Sequence, residues 1–268
     1  MTSNKPVLIR DIVGLIEAKI PAAKHHQTVD TFKCGDPDKP VTGVVVTFMA
    51  TLDVLKQAVK TGANLVITHE PTFYNHPDET EWLKNDPVFL AKKKFIDQHG
   101  LVLWRFHDGL HHLRPDGILQ GMVDALGWKM PADPERPNLC RIKPVSLREL
   151  AAHCRERLKI GPVRVVGDPD MMCANIGLLP GACGGRRQLD VLCFGGAEVI
   201  ICGESPEWET CEYVRDALDA GLARGLIVLG HANSEEAGMA HGAVWVRGLL
   251  PASVPVHYIP AGDPFWSC

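Results

Sequence analysis

Residues 44–71, VVVTFMATLDVLKQAVKTGANLVITHEP, place one amphipathic segment between two short apolar runs. Both runs are rich in β-branched residues, and the segment near 52–61 repeats its apolar residues at helical spacing. This order predicts a strand, a helix and a second strand parallel to the first. The second strand leads directly into His69 and Glu70, two residue types that bind metal ions.

The same alternation of apolar runs and helical segments continues along the chain. It is typical of α/β layers, so we predict an α/β fold of two interlocked units with mostly parallel strands. Further strands are predicted at LVLWRF, VRVVG, ANIGLL, EVIIC, GLIVLG, GAVWVRG and VPVHYI.

A proline-rich break, KMPADPERPNLCRIKP at 129–144, predicts a crossing between the units. We expect 1–132 to form the first α/β unit and 140–224 to form the second. The segment 225–268 is expected to return to the first unit and to complete its site.

Composition excludes several classes of protein. The 268 residues are 46% hydrophobic and 22% charged, as in an ordinary globular protein, and the net charge of -4 gives no basic surface for nucleic acid. No apolar run approaches the roughly 18 residues that cross a bilayer, so no membrane partner is expected. The nine cysteines form no CxxC pair, and the first residues lack a signal-peptide core. These features predict reduced thiols and a cytoplasmic protein.

Three predicted strands, NLVIT, LVLWRF and GLIVLG, end in residue types that bind metal ions. Ligand sites in open α/β sheets lie beyond the carboxyl ends of the strands. Any single HxxxH or HxxxE pair is a weak signal in a chain with 12 histidines, whereas three such clusters after apolar strands predict a metal site. The candidate ligands are His69, Glu70, His107, His111, His231 and Glu235.

The donor set indicates which metal and how many ions. Imidazole nitrogen with carboxylate oxygen favours zinc, iron, manganese or nickel over magnesium or calcium. Four histidines and two carboxylates are too many for one tetrahedral ion, and they suit a dinuclear site with ions about 3.5–4 Å apart.

At these residues the chain resembles the NIF-three-like family, whose members often carry the name of a second type of GTP cyclohydrolase I. VVVTFMATLDVLKQAVKTGANLVITHEP is similar to the strand–helix–strand that leads to the family's Thr-His-His-Pro motif. RFHDGLHH stands where the family has His-Thr-Asn-Leu-Asp, and GHANSEEAGM is similar to its Gly-His-x-x-x-Glu motif. AEVIICGE resembles the Asp-x-x-x-Thr-Gly-Glu strand before that motif, so the resemblance covers nearly the whole chain.

The resemblance implies that the six candidate positions hold two metal ions in a cleft between two α/β domains. It also implies a ring-shaped homo-oligomer, a hexamer. Two positions depart from the family pattern, because Glu70 replaces a histidine and His111 replaces an aspartate. A neutral imidazole offers one lone pair and cannot bridge two ions as a carboxylate does. Glu70 or Glu235 must then bridge, or the second ion is bound more weakly, and a site with one metal stays open.

Metal ions held in this way suit hydrolysis. The sequence therefore predicts a metal-dependent hydrolase of unknown substrate, with a nucleotide or another phosphate-bearing small molecule as candidates. Glu236, beside Glu235, is the candidate general acid or base, and an exposed helix charge is the alternative. A non-catalytic metal-binding or regulatory protein is the alternative function.

The stretch LPGACGGRRQLD at 179–190 has three glycines and two arginines ahead of a predicted helix, which suits a phosphate. It matches neither of the common glycine-rich phosphate motifs, and a plain tight turn explains it equally well. Arg186, Arg187 and His76 are the candidate substrate contacts.

Overall fold

The structure is a computed structural model, and it describes residues 6–21 and 28–266. The chain forms two compact units, and each is built from two separate stretches of sequence. Unit 1 comprises the chain up to Gly117 together with Met239–Ala261, and unit 2 comprises Ile118–Gly238 and the residues from Gly262 onward. The prediction of two interlocked α/β units is confirmed.

Helices and strands alternate along the described chain. The helices are α1 (Ile9–Glu17), α2 (Leu52–Thr61), α3 (Pro87–Gln98), α4 (Asp108–His112), α5 (Gly117–Leu126), α6 (Leu147–Leu158), α7 (Gly185–Cys193), α8 (Glu212–Asp219) and α9 (His231–Leu249). The strands are β1 (Phe32–Cys34), β2 (Val44–Thr47), β3 (Leu65–Thr68), β4 (Val102–Arg105), β5 (Leu139–Ser146), β6 (Arg164–Val166), β7 (Met172–Leu179), β8 (Val199–Cys202), β9 (Gly225–Val228) and β10 (Val256–Tyr258).

Unit 1 contains a five-stranded sheet in the order β1-β4-β3-β2-β10, parallel except for β1. Strands β2, β3 and β4 are buried along their whole length, as their unbroken apolar sequences require. Thr68 at the end of β3 lies beside both Thr47 and Arg105. The three strands therefore end at the same level, and the residues that follow them share one edge of the sheet.

Unit 2 contains a second five-stranded sheet in the order β5-β7-β8-β9-β6. Its three central strands are parallel, and the two edge strands, β5 and β6, are antiparallel to their neighbours. Cys202 at the end of β8 lies beside Leu179 and Val228, so the loops after β7, β8 and β9 also share one edge.

Several elements differ from the sequence prediction. GAVWVRG, predicted as a strand, lies inside α9, because Met239, Ala243 and Val246 are buried at helical spacing. The proline-rich break contains the start of β5, because Leu139–Arg141 pair with β7.

The boundaries of the units also differ from those expected. The first crossing follows Gly117 and not residue 132, and the return occurs at Met239 and not at 225. The physical reason is that β9 pairs with β8 inside the second sheet. Among the helices that the structure describes, none is long and apolar enough to cross a membrane.

The cysteines of the described residues are free thiols. Burial raises the pKa of the Cys34 and Cys140 thiols to about 11 and that of Cys154 to about 12. These side chains therefore stay protonated at neutral pH, and they pack as small apolar residues.

Within unit 2, α5 approaches the first turns of α9 closely at Gly121. A Cβ added at Gly121 would lie 2.4 Å from the Ala237 carbonyl oxygen, a backbone atom that cannot move aside. We expect Gly121→Ala to lower the free energy of unfolding by about 1–3 kcal/mol. Gly14→Ala in α1 is the matched control, because its Cβ would meet nothing within 4 Å. It should stabilise α1 by about 0.5–1 kcal/mol. Urea denaturation of both variants tests the close approach, and equal stabilities would contradict it.

Candidate metal centre

His69 directly follows β3 and is fully buried. Its backbone N–H bonds the carbonyl oxygens at the end of β2, and its Nδ1 lies 3.2 Å from the Phe106 carbonyl oxygen. A carbonyl oxygen only accepts, so this bond requires the hydrogen on Nδ1. Nε2 is then the ring nitrogen with a lone pair suited to a metal ion.

His107 and His111 stand one turn apart, at the start of α4 and within it. The Nδ1 of His107 lies 2.9 Å from Asp108 Oδ1, and the Nδ1 of His111 lies 2.9 Å from Asp116 Oδ2. A carboxylate oxygen holds the hydrogen on Nδ1 in both rings, as it does for many metal-bound histidines. The three candidate histidines of unit 1, His69, His107 and His111, therefore have the same tautomer.

The three rings lie together at the edge of the first sheet. The ring centroids of His69 and His107 are 4.5 Å apart, and His111 lies 5.1 Å from each of them. Each residue offers a nitrogen within 4.8 Å of those of the other two. Burial, followed by the neighbouring His69, lowers the pKa of His107 to about 4. The ring is therefore neutral at pH 7, which is the form that binds a metal ion.

Asp30 fixes the turn that carries these histidines. Its carboxylate accepts the backbone N–H groups of His107, Asp108 and Gly109 at 2.7, 3.0 and 2.7 Å. Burial raises the pKa of Asp30, and the three hydrogen bonds oppose that effect. The start of α4 is thus held by a carboxylate from a distant part of the sequence.

Glu70 is 9% exposed and faces a fully buried arginine, Arg105. Its Oε2 lies 3.6 Å from Arg105 Nη2, and its Oε1 lies 3.8 Å from His107 Nε2. The Arg105 Nε donates to the His69 carbonyl oxygen at 3.0 Å, and Nη1 donates to that of His76. One guanidinium therefore holds the chain on both sides of the Glu70 carboxylate.

A buried lysine supports the loop that follows Glu70. Lys92 Nζ donates to the Thr72 carbonyl oxygen and lies 5.7 and 5.3 Å from the ring centroids of Phe73 and Tyr74. Asp78 Oδ1 accepts the Phe73 N–H at 2.7 Å and closes the loop. Burial lowers the pKa of Lys92 to about 8, and the charge of Asp78 opposes this shift.

Unit 2 carries the third predicted cluster at the start of α9. His231 Nδ1 lies 2.7 Å from Glu204 Oε1, and its Nε2 lies 3.3 Å from Glu235 Oε2. Glu235 is only 2% exposed. The His231 tautomer is therefore set by a carboxylate, as at His107 and His111, and its Nε2 faces a carboxylate one helical turn away.

A glycine makes room for this carboxylate. Gly181 has a φ of +70°, and a Cβ there would lie 2.3 Å from Glu235 Oε1. Its N–H donates to Ser234 Oγ at 2.9 Å, and that hydroxyl donates to the His231 carbonyl oxygen at 2.7 Å. The glycine-rich stretch 179–190, a candidate phosphate loop in the sequence, thus contains a glycine that packs against Glu235.

The predicted substrate contacts lie in different places. The ring of His76 is exposed and lies 5.7 Å from that of His107, beside the histidine cluster. Arg186 Nε donates to Asp190 Oδ1 one turn further along α7 at 2.9 Å, and Arg187 is exposed on the same helix. Both arginine side chains extend from the first turn of α7.

Glu236, the predicted general acid or base, makes a hydrogen bond to the chain after Ala261, away from His231 and Glu235. Its Oε1 accepts the backbone N–H of Gly262 at 3.0 Å. Asn233 Nδ2 likewise donates to Asp263 Oδ2 at 2.7 Å. The two side chains hold the start of the C-terminal segment of unit 2 against α9.

Sequence reasoning did not assign the residues that orient the histidines. Three are acids at Nδ1, namely Asp108, Asp116 and Glu204, and the others are Asp30 and Arg105. Two of the acids lie within five residues of the histidine that they hold, and Glu204 follows the end of β8. A search for acids near each candidate histidine could have found the first two, whereas Asp30 needs the tertiary structure.

The pKa of Lys92 gives a pH dependence with a definite sign. Between pH 8 and 10.5 the unfolded chain keeps the proton that the folded chain has lost, so stability rises with pH. We expect the free energy of unfolding of the wild type to rise by on the order of 3 kcal/mol relative to that of Lys92→Met across this pH range. Urea denaturation of both proteins at pH 7.5 and pH 10 measures this difference. Parallel pH profiles would show that Lys92 titrates as an exposed lysine.

Solved structures share this fold, and relatives are similar to this chain in sequence. A GTP cyclohydrolase 1 type 2 homolog from Clostridium perfringens is 24% identical over 243 residues, which cover 85% of this chain and 86% of the relative. A Bacillus cereus protein related to NIF3 superposes with a TM-score of 0.80 at 16% identity, covering 98% of this chain and 100% of that chain. The Staphylococcus aureus protein SA1388 gives a TM-score of 0.79 at 20% identity, with the same coverage.

The family itself is shown by a match along the sequence. The model of Duf34/NIF3 (NGG1p interacting factor 3) matches residues 7–261, which is nearly the whole chain. This match confirms the resemblance drawn from the motifs at the strand ends. The chain belongs to the Duf34/NIF3 family.

Proposed function

We propose that this chain binds a divalent transition metal through the Nε2 atoms of His69, His107 and His111, with the Glu70 carboxylate beside them. One observation carries the proposal: three imidazoles meet at a sheet edge, and an oxygen acceptor holds the Nδ1 of each. Neutral imidazoles with the hydrogen on Nδ1 are the form that coordinates zinc, iron, manganese or nickel.

We propose further that His231 and Glu235 belong to the same centre and that two ions are bound. The support is chemical, because His231 has its Nδ1 on a carboxylate in the same way as the histidines of unit 1. Glu70 or Glu235 would bridge the ions, since His111 has one lone pair to give. The six ligands are the set implied by the family pattern.

The function that this centre supports best is hydrolysis of a small molecule. A bound divalent ion supplies Lewis-acid chemistry toward water and toward a carbonyl or phosphoryl oxygen. The chain's own residues hold the donors rigid, through Arg105 at Glu70 and Asp30 at the start of α4. His76 borders the cluster and is the residue we assign to substrate contact. Because relatives carry the name GTP cyclohydrolase 1 type 2 homolog, a nucleotide is the first substrate class to test.

A second function, metal binding without turnover, is favoured by one observation. Glu236, the carboxylate expected to transfer protons, accepts the Gly262 amide. A protein that stores or delivers metal needs the ligands and no such proton carrier.

Metal stoichiometry, measured by elemental analysis on protein without a histidine tag, is the first test. We expect about two equivalents of metal per chain, because the site offers four imidazoles and two carboxylates. One equivalent would mean that the replacement of an aspartate by His111 has weakened the second position. No retained metal after reconstitution with zinc, iron, manganese or nickel would refute the proposal.

The residues at Nδ1 give a sharper test than the ligands themselves. Asp116→Ala should weaken metal affinity about 10–100-fold, because the His111 ring loses its orientation, and Asp116→Asn should restore part of the loss. Asp53→Ala is the matched control, since Asp53 is exposed on α2 and its carboxylate accepts a hydrogen bond from Gln57 Nε2. Competition with a chromogenic chelator measures the affinities. Equal affinity in Asp116→Ala and Asp53→Ala would remove His111 from the ligand set.

Activity is tested on the metal-loaded protein with GTP. Release of inorganic phosphate and loss of the guanine absorbance report the two classes of hydrolysis. Turnover that is lost in His107→Ala together with the metal supports the hydrolase. Retained metal without turnover of GTP or of a panel of nucleotides supports the binding protein.

A further inference from the structure

A groove in unit 2 lies apart from every residue of the candidate metal centre. It is bounded by α6 on one side and by β6 with its flanking residues on the other, and its volume is about 450 Å³. That volume is within the range of sites that bind ligands. Its floor and walls include the apolar side chains of Leu147, Ala151, Val163 and Val165.

Two arginines of α6 line the same groove. Arg148 and Arg155 stand two helical turns apart, a distance of about 10 Å along the helix axis. The lining contains no acidic side chain, although the whole chain has a net charge of -4. Arg148 Nη2 lies 3.9 Å from the Asp170 carboxylate, and both side chains are largely exposed. The charged side chains that line the groove are therefore cationic, and Asp170 offsets part of that charge beside Arg148.

The wall opposite the arginines is an edge strand. β6 is the last strand of its sheet, and β9 is the neighbour it pairs with among the described residues. Val165, in the middle of β6, is 41% exposed and lines the groove. An edge strand beside an apolar groove is the arrangement by which proteins add an extended peptide to a sheet.

Backbone hydrogen bonds fix one end of the groove. The Leu147 and Arg148 N–H groups donate to the Met171 and Pro169 carbonyl oxygens, both at 3.0 Å. Ser146 and Glu149 close a capping box at the same end of α6. The first turn of α6 is thus fixed to the loop at one end of the groove, so little ordering is required when a ligand binds.

We propose that this groove binds an extended acidic peptide segment of a partner protein. The peptide backbone pairs with the outer side of β6, and its apolar side chains pack on Val163, Val165 and Ala151. Carboxylates on the same face of the peptide, two residues away from those apolar side chains, form ion pairs with Arg148 and Arg155. Charge complementarity selects an acidic peptide, because the lining offers two guanidinium groups and no carboxylate. The site is independent of the metal centre and of the hydrolase.

The probe is a synthetic heptapeptide, Glu-Thr-Val-Thr-Glu-Thr-Val, which puts both glutamates and both valines on one face of the extended chain. It is amidated at its C-terminus and labelled with fluorescein at its N-terminus. The control peptide has lysine in place of each glutamate. Fluorescence polarisation at 50 mM and 300 mM salt measures binding to the full-length chain. We expect saturable binding of the acidic peptide, weakened by salt, and at least tenfold weaker binding of the lysine peptide.

Three variants locate the binding. The double variant Arg148→Glu and Arg155→Glu should bind the acidic peptide at least tenfold more weakly than the wild type does. It should bind the lysine peptide more tightly than the wild type does. Ala152→Trp, at an exposed position that lines the groove, should fill it and lose the acidic peptide while both arginines remain. Arg215→Glu is the matched control, because Arg215 is an exposed helix arginine on α8, and its binding should equal that of the wild type.

Four outcomes would overturn the proposal. They are equal binding of both peptides, equal loss in Arg215→Glu, saturable binding of decanoate in place of the acidic peptide, and a change of oligomeric state in Ala152→Trp. The third would make the groove a fatty-acid site, and the fourth would show that a second copy of the chain covers it. Unfolding curves and metal content that match the wild type establish that each variant is folded.

Discussion

The common level at which β2, β3 and β4 end is the constraint on which the first unit depends. Because Thr47, Thr68 and Arg105 lie side by side, the residues that follow must share one sheet edge. His69 and His107 meet there with ring centroids 4.5 Å apart, although they are distant in sequence. The second sheet repeats this arrangement at the ends of β7, β8 and β9, where Gly181, Glu204 and His231 follow.

Hydrogen bonds to the Nδ1 atoms of the candidate histidines orient the rings at these sheet edges. Each candidate histidine has its Nδ1 against an oxygen, and in three of the four cases that oxygen belongs to a carboxylate. A carboxylate at Nδ1 makes the other nitrogen a better donor, so the acids that orient the rings also tune them. The buried Arg105 guanidinium lies 3.6 Å from the Glu70 carboxylate and balances the negative charge of that group.

Much of the fold and of the candidate ligand set could be read from the sequence, for a physical reason. Buried parallel strands need unbroken apolar runs, and a polar residue directly after such a run marks the sheet edge. The sequence prediction was wrong where the local sequence pattern favours one element and tertiary contacts favour another. GAVWVRG alternates like a strand yet continues α9, and β5 lies in a proline-rich stretch because its partner β7 comes later in the chain. The role of Asp30 could not be predicted from the sequence for the same reason, because its carboxylate accepts three hydrogen bonds from the start of α4, which is distant in sequence.

The pairing of β10 with β2 has a consequence for biosynthesis. Val256 lies beside Val44, so the sheet of the first unit takes up a strand from near the C-terminus. A nascent chain that has already emerged with β2, β3 and β4 still shows an open edge at β2. The unpaired N–H and C=O groups of that edge stay available for pairing until residues 256–258 have been synthesised, so a chaperone has a long time to act on them.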